Sequence, residues 1–284
     1  MTTQNKGKLN QLLQSLPEGL VVDAAWLAEN GYSTSLVSKY LNAGWLERVA
    51  NRVYRRPRGE LTWQQVLISL QAKELLDLAL IVGGRTALEL QGFGHYLPQS
   101  TRDVYLYSEG GTPTWLNDLG IGVTFHERSA KRLFRNEPIT RGLTSINWNT
   151  DKDSGQSADA IHGTWRHVAS GQSEWPLTVS TPERAFFELL DEMPDRESFH
   201  QADMLMEGLA TLSPRRLGKL LSDCRSVKVK RLFFFFAERH QHRWLKQLNA
   251  ENYDLGSGNR VLVKGGKLDK RFHITVPADL DGVS

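Results

Sequence analysis

The first 58 residues constrain the fold most, because three short helical patterns there each carry their own start and stop signals. Leu9, Leu12, Leu13 and Leu16 recur at helical spacing. Asp23 is placed to cap a second helix carrying Trp26 and Leu27, which Asn30-Gly31 ends. Ser33 is placed to cap a third, Thr34 to Ala43, with Gly44 just past its end. A short hairpin follows: Trp45 to Val49, a turn at Ala50-Asn51, then Arg52 to Arg58. Asn51 is the residue expected to take the left-handed conformation of that turn. Together these read as a helix-turn-helix with a basic wing.

The third helix has two unlike faces. Leu36, Val37, Tyr40 and Leu41 form an apolar stripe, and Thr34, Ser35, Ser38, Lys39 and Asn42 face the other way. Small hydroxyls, an amide and a cation are groups that bond to base edges and phosphates in a major groove. Arg48, Asn51, Arg52, Arg55 and Arg56 of the hairpin are expected to hold phosphates or a minor groove. Lys39 to Arg58 has a local net charge of +5 against +3 for the whole chain, so the rest is slightly negative. The basicity is concentrated where such a fold meets DNA.

The fold class expected is α+β: an N-terminal winged helix-turn-helix, residues 1–60, followed by a larger mixed α/β domain, residues 61–284. A subdivision near residue 180 stays open. Pro57 to Glu60 reads as the hinge, and Thr62 with Gln65 as a capping box for the next helix. Strands are expected at 79–82, 103–107, 122–126, 143–148 and 177–179. A polar loop is expected over 150–160. Thr181-Pro182-Glu183 opens a helix to Glu192. Helices follow at 199–209, 214–224 and 227–248, the last buried all round by Phe233 to Phe236. Arg260 to Val263 and Lys270 to Val276 read as two strands joined by a turn at Lys264–Lys267.

No apolar run approaches a membrane span, the N-terminus lacks an apolar signal segment, and Cys224 is the single cysteine. A cytoplasmic chain without membrane contact or internal disulfides is expected. His240 and His242, two apart in an expected helix, point to different faces, so no metal site is expected. A second basic patch comprises Arg260, Lys264, Lys267, Lys270 and Arg271 against one acid, Asp269. Its readings are a solvated hairpin or a contact with nucleic acid or a partner.

One corner invites enzymatic chemistry. Gly83-Gly84 at a helix start followed by Asp103 on a strand resembles a nucleotidyltransferase, which holds a triphosphate on such a turn and Mg²⁺ on two carboxylates one residue apart. Here the second ligand position, on the same strand face, is Tyr105. Activity is not expected from one carboxylate, no catalytic residue is assigned, and no cofactor is expected. A degenerate nucleotidyltransferase-like fold stays open.

The winged-helix start, Ile81-Val82-Gly83-Gly84-x-Thr86-Ala87-Leu88, Ser180-Thr181-Pro182-Glu183-Arg184-Ala185 and the run Leu255 to Phe272 together resemble the AbiEi family of antitoxins. That resemblance implies a type IV toxin–antitoxin system. Such a protein represses its own promoter by binding inverted repeats. Its C-terminal domain opposes a neighbouring nucleotidyltransferase toxin without necessarily forming a stable complex. A monomer or weak dimer, with two copies on the operator, is expected. The alternative is an ordinary winged-helix regulator with a ligand-sensing domain.

Overall fold

The computed structural model describes residues 3–73, 75–94, 102–136, 145–149 and 176–281. The expected polar loop at 150–160 lies outside them. The winged helix comprises α1 (Thr3–Ser15), β1 (Val21–Asp23), α2 (Ala24–Glu29), α3 (Thr34–Asn42), β2 (Glu47–Ala50) and β3 (Val53–Arg55). The expected caps form: Asp23 accepts from Trp26 N and Ser33 from Leu36 N. Gly31 and Gly44 take positive φ where α2 and α3 end. β1 pairs with β3, making a three-stranded antiparallel sheet in the order β1-β3-β2.

The larger part begins with α4 (Trp63–Gln71). Thr62 and Gln65 form both halves of its capping box. Next come β4 (Leu80–Val82), α5 (Gly84–Leu90), β5 (Asp103–Ser108), β6 (Thr124–Ser129), α6 (Ala130–Leu133), β7 (Ser145–Asn149) and β8 (Pro176–Ser180). The five strands form one mixed sheet in the order β6-β5-β4-β8-β7. β5 is antiparallel to β4 and parallel to β6; β8 is parallel to β4 and antiparallel to β7. Along β5 the pleat separates Val104 and Leu106, in the main core, from Tyr105 and Tyr107, in a small cluster with Ile81 and Ala130.

Four helices complete the core: α7 (Pro182–Asp191), α8 (Phe199–Gly208), α9 (Pro214–Asp223) and α10 (Val227–His240). Phe233 to Phe236 are buried, with Phe233 5.0 Å from the Phe187 ring and 5.8 Å from Trp244. The expected helix to residue 248 stops eight residues early. Gln241 takes a left-handed C-cap, and Trp244 Nε1 then donates to Leu209 O at 2.8 Å, drawing the chain into a short 3-10 turn. His240 and His242 therefore do not point apart; their rings stack at 6.0 Å. Among the described residues no cluster of three or more metal-ligating side chains is placed to hold an ion, and no helix is long and apolar enough to cross a membrane.

α4 belongs to both parts of the molecule. Val21 N of β1 donates to Ser69 Oγ at 2.9 Å. Two residues on, Gln71 Nε2 donates to Leu80 O and Thr178 O, and its Oε1 accepts from Thr178 N. Val66, Leu67 and Leu70 sit in one apolar core that runs from Leu12 to Leu280. The expected hinge at 57–60 is tied down as well, since Gly59 O accepts from Arg55 Nη2 at 2.7 Å.

The C-terminal hairpin differs in register from expectation. Its strands are β9 (Lys267–Asp269) and β10 (Ile274–Val276), so the turn falls at 270–273. Residues 260–263 run along the other side of β10. They are held there by Arg260 N to His273 O at 2.8 Å and by Thr275 Oγ1, which accepts from both Leu262 N and Val263 N. That side chain substitutes for part of a strand ladder, which apolar alternation alone does not reveal.

Candidate nucleic-acid interface

The exposed face of α3 comprises Thr34, Ser35, Ser38, Lys39 and Asn42, opposite buried Val37 and Tyr40. The helix is anchored by its apolar stripe and by Ser33, so its outer face is presented from a fixed base. Arg48, Asn51 and Arg52 are exposed on the hairpin beside it. The Arg48 guanidinium lies 5.7 Å from the centre of the Tyr54 ring, which orients it without neutralising it.

The turn is Asn51-Arg52, and Arg52, not Asn51, takes the left-handed conformation, with φ 60. A bulge at Val49 shifts the register and moves the turn by one residue. Arg52 O accepts from Ala24 N at 2.8 Å. The wing is thus short and tied to the start of α2.

Two expected contacts are instead part of the framework. Arg55 is 6% exposed; its guanidinium bonds to Glu47, its cross-strand neighbour, and to Gly59 O. Arg56 Nη1 donates to Leu13 O and Leu16 O, both at 2.9 Å, and Nη2 reaches Glu18. Arg56 thereby satisfies carbonyls left open at the end of α1. Neither guanidinium faces outward.

In the second patch Arg260, Lys264, Lys267, Lys270 and Arg271 are all exposed, and Arg271 also pairs with Glu238 at 2.6 Å. Lys228, Lys230 and Arg231 do not extend it. Lys228 Nζ donates to Asp191 O and Met193 O, and Lys230 is buried. Arg231, 1% exposed, donates to Leu255 O, Gly258 O and His273 O at 2.6, 2.7 and 3.1 Å. It clamps the segment that carries the patch.

The Gly83-Gly84 corner is already filled from inside the protein. Gly84 N donates to Glu188 Oε2 at 3.0 Å, and Glu188 Oε1 pairs with Arg184 at 2.8 Å, both side chains being fully buried. Burial pushes the Glu188 carboxyl up, while Arg184 and the Gly84 N–H pull it back. A Cβ at position 83 would overlap the Glu188 carboxylate and the Tyr107 ring, which accounts for glycine there. Asp103 is bound at 2.7 Å by His126, whose ring stacks on Tyr105 at 5.2 Å. The N–H aimed at a phosphate in a nucleotidyltransferase is engaged by a carboxylate here. The signal for Glu188 was its i, i+4 spacing from Arg184; nothing local marked it as the partner of Gly84.

Near this corner Glu197, 2% exposed, pairs with Arg85 at 3.1 Å. Burial pushes its carboxyl from 4.5 up to about 7; Arg85 opposes this, and Glu89, Glu192 and Asp103 add to it. The folded state therefore holds a proton that the unfolded chain has released. That contribution to stability is complete below the unfolded value and is lost as pH rises through about 7. Glu197→Gln is expected to flatten the decline of thermal stability between pH 4.5 and 7. Melting curves across that window check it, and a decline as steep as the parent's refutes it.

Comparison with known proteins bears on the whole chain. Residues 5–99 match the family model described as transcriptional regulator, AbiEi antitoxin N-terminal domain. Residues 101–277 match that described as transcriptional regulator, AbiEi antitoxin, type IV TA system. The family division thus falls at residue 100, beyond α4 and α5. No curated protein matches the chain. Among solved structures, the RV2827C protein from Mycobacterium tuberculosis is similar at a TM-score of 0.56 and 13% identity, over 97% of this chain and 92% of that one. At that identity the likeness concerns the fold alone. On the two matches together, the chain belongs to the AbiEi family of antitoxin transcriptional regulators from type IV toxin–antitoxin systems.

Proposed function

We propose that this protein represses its own promoter through α3 and the wing, and counteracts a neighbouring nucleotidyltransferase toxin through the larger domain. The observation that carries the DNA reading is the exposed face of α3 continuing into Arg48, Asn51 and Arg52. Thr34, Ser35, Ser38, Lys39 and Asn42 enter the major groove; Arg48, Asn51 and Arg52 hold the adjoining backbone. One copy reads each half of an inverted repeat, and the free protein is a monomer or weak dimer. The protein works in the cytoplasm, without catalysis of its own. The internal Glu188–Gly84 bond favours this over an active nucleotidyltransferase. The second basic patch serves a partner or nucleic acid in the antitoxin role.

Arg52→Ala is expected to weaken binding to a duplex of the upstream promoter region. It should also reduce the log–log salt slope by about 0.9, the release from one phosphate contact. Titrations at several salt concentrations read both, and parental affinity with parental slope refutes the wing assignment.

The antitoxin role is tested by growth rescue with the full-length chain, since a cut at residue 60 would strip α4 of its packing on β1. The neighbouring gene is induced alone and beside an Arg48→Ala/Arg52→Ala variant. Rescue without repression supports separate neutralisation. A neighbour harmless despite confirmed expression would sink the toxin–antitoxin pairing and leave an ordinary regulator.

A further inference from the structure

Among the tryptophans whose side chains are described, Trp45 is the most exposed. Trp26, Trp63 and Trp244 are buried and Trp115 is half-buried, whereas Trp45 is 41% exposed. Among the described residues its ring stacks on no other ring and its indole N–H meets no acceptor. The backbone beneath it is nevertheless fixed. Gly44 turns the chain with φ 73, Trp45 N donates to Tyr40 O at 2.9 Å, and the next residue, Leu46, is buried. A large amphipathic side chain is therefore held in solvent by a rigid base, which is how binding anchors are built.

Its position identifies the occupant. Ser38 and Asn42 lie on the exposed face of α3, and Trp45 follows Asn42 by one turn's spacing across the helix end. Along the chain it lies between two exposed cations, Lys39 on α3 and Arg48 on β2. At the end of a recognition helix the nearest part of a duplex is the sugar–phosphate backbone bordering the groove. A flat apolar ring packs on deoxyribose, and an indole N–H donates to a phosphate oxygen.

We propose that Trp45 is a further DNA contact, packing its ring on the backbone at the groove edge and donating its Nε1–H to a phosphate. This rests on the winged-helix reading above. Being neutral, Trp45 releases no counterion, so its contribution is independent of salt.

The test is titration of the promoter duplex, and of a duplex carrying one half-site, with Trp45→Ala, Trp45→Phe and Arg52→Ala. Trp45→Ala should lose about tenfold in affinity on both duplexes with an unchanged salt slope. Trp45→Phe, which keeps a ring, should recover most of that loss. Parental melting temperatures exclude misfolding. Parental affinity in Trp45→Ala while Arg52→Ala weakens overturns the proposal and leaves the DNA reading standing. If neither variant weakens binding, both fail. Loss confined to the two-site duplex assigns Trp45 to contact between copies instead, which also overturns the proposal.

Discussion

Glu188→Ala is expected to lower the stability of the protein by about 3–5 kcal/mol, the range for removing one partner of a buried ion pair. The reason is what remains. Arg184 is fully buried and loses the carboxylate 2.8 Å from its Nε, while Gly84 N loses its acceptor. Space opens beside Tyr107, whose hydroxyl donates to Glu188 O at 3.2 Å. Chemical denaturation measures the effect. The combined change Arg184→Met/Glu188→Leu removes both charges and should recover much of the loss. If the single variant matches the parent, the carboxylate does not hold this corner together.

Arg231→Met is expected to free the C-terminal hairpin, lowering stability by about 3 kcal/mol or more. Each hydrogen bond to a charged group contributes roughly 1.5–3 kcal/mol. The three acceptors, Leu255 O, Gly258 O and His273 O, come from two stretches, which the Arg271–Glu238 pair also ties to α10 farther along. Hydrogen exchange should rise over residues 255–276 while the winged helix stays protected and still binds DNA. Uniform exchange matching the parent would show that Phe272 and Ile274, both buried, suffice to hold the segment.

Much of the fold was legible because local rules operated without competition. Asp23, Ser33 and the Thr62/Gln65 pair cap the helices that their positions announce. The polar side of α3 is exposed because its apolar side is buried. What failed to show was long-range pairing. The charge of Arg55 and Arg56 suggested contact with phosphate. One meets Glu47 across a hairpin whose register depends on a bulge, and the other meets α1 carbonyls some forty residues away in sequence. The two-residue turn at Asn51-Arg52 alone would set Glu47 opposite Arg56; only the bulge at Val49 brings it opposite Arg55, and no local signal announces that bulge. Likewise the end of α10 depends on Trp244 reaching Leu209, and residues 260–263, expected as a strand, lie beside β10 through the Thr275 hydroxyl and the Arg260–His273 backbone bond.

The double allegiance of α4 reaches into the life of the protein in a cell. Ser69 grips the winged helix and Gln71 the central sheet, on one short rod inside one core. Parts that share a core tend to open together. On the function proposed above, a protease that seized either part would end promoter binding and neutralisation together. Repression and immunity would end on a single clock, not fade one after the other.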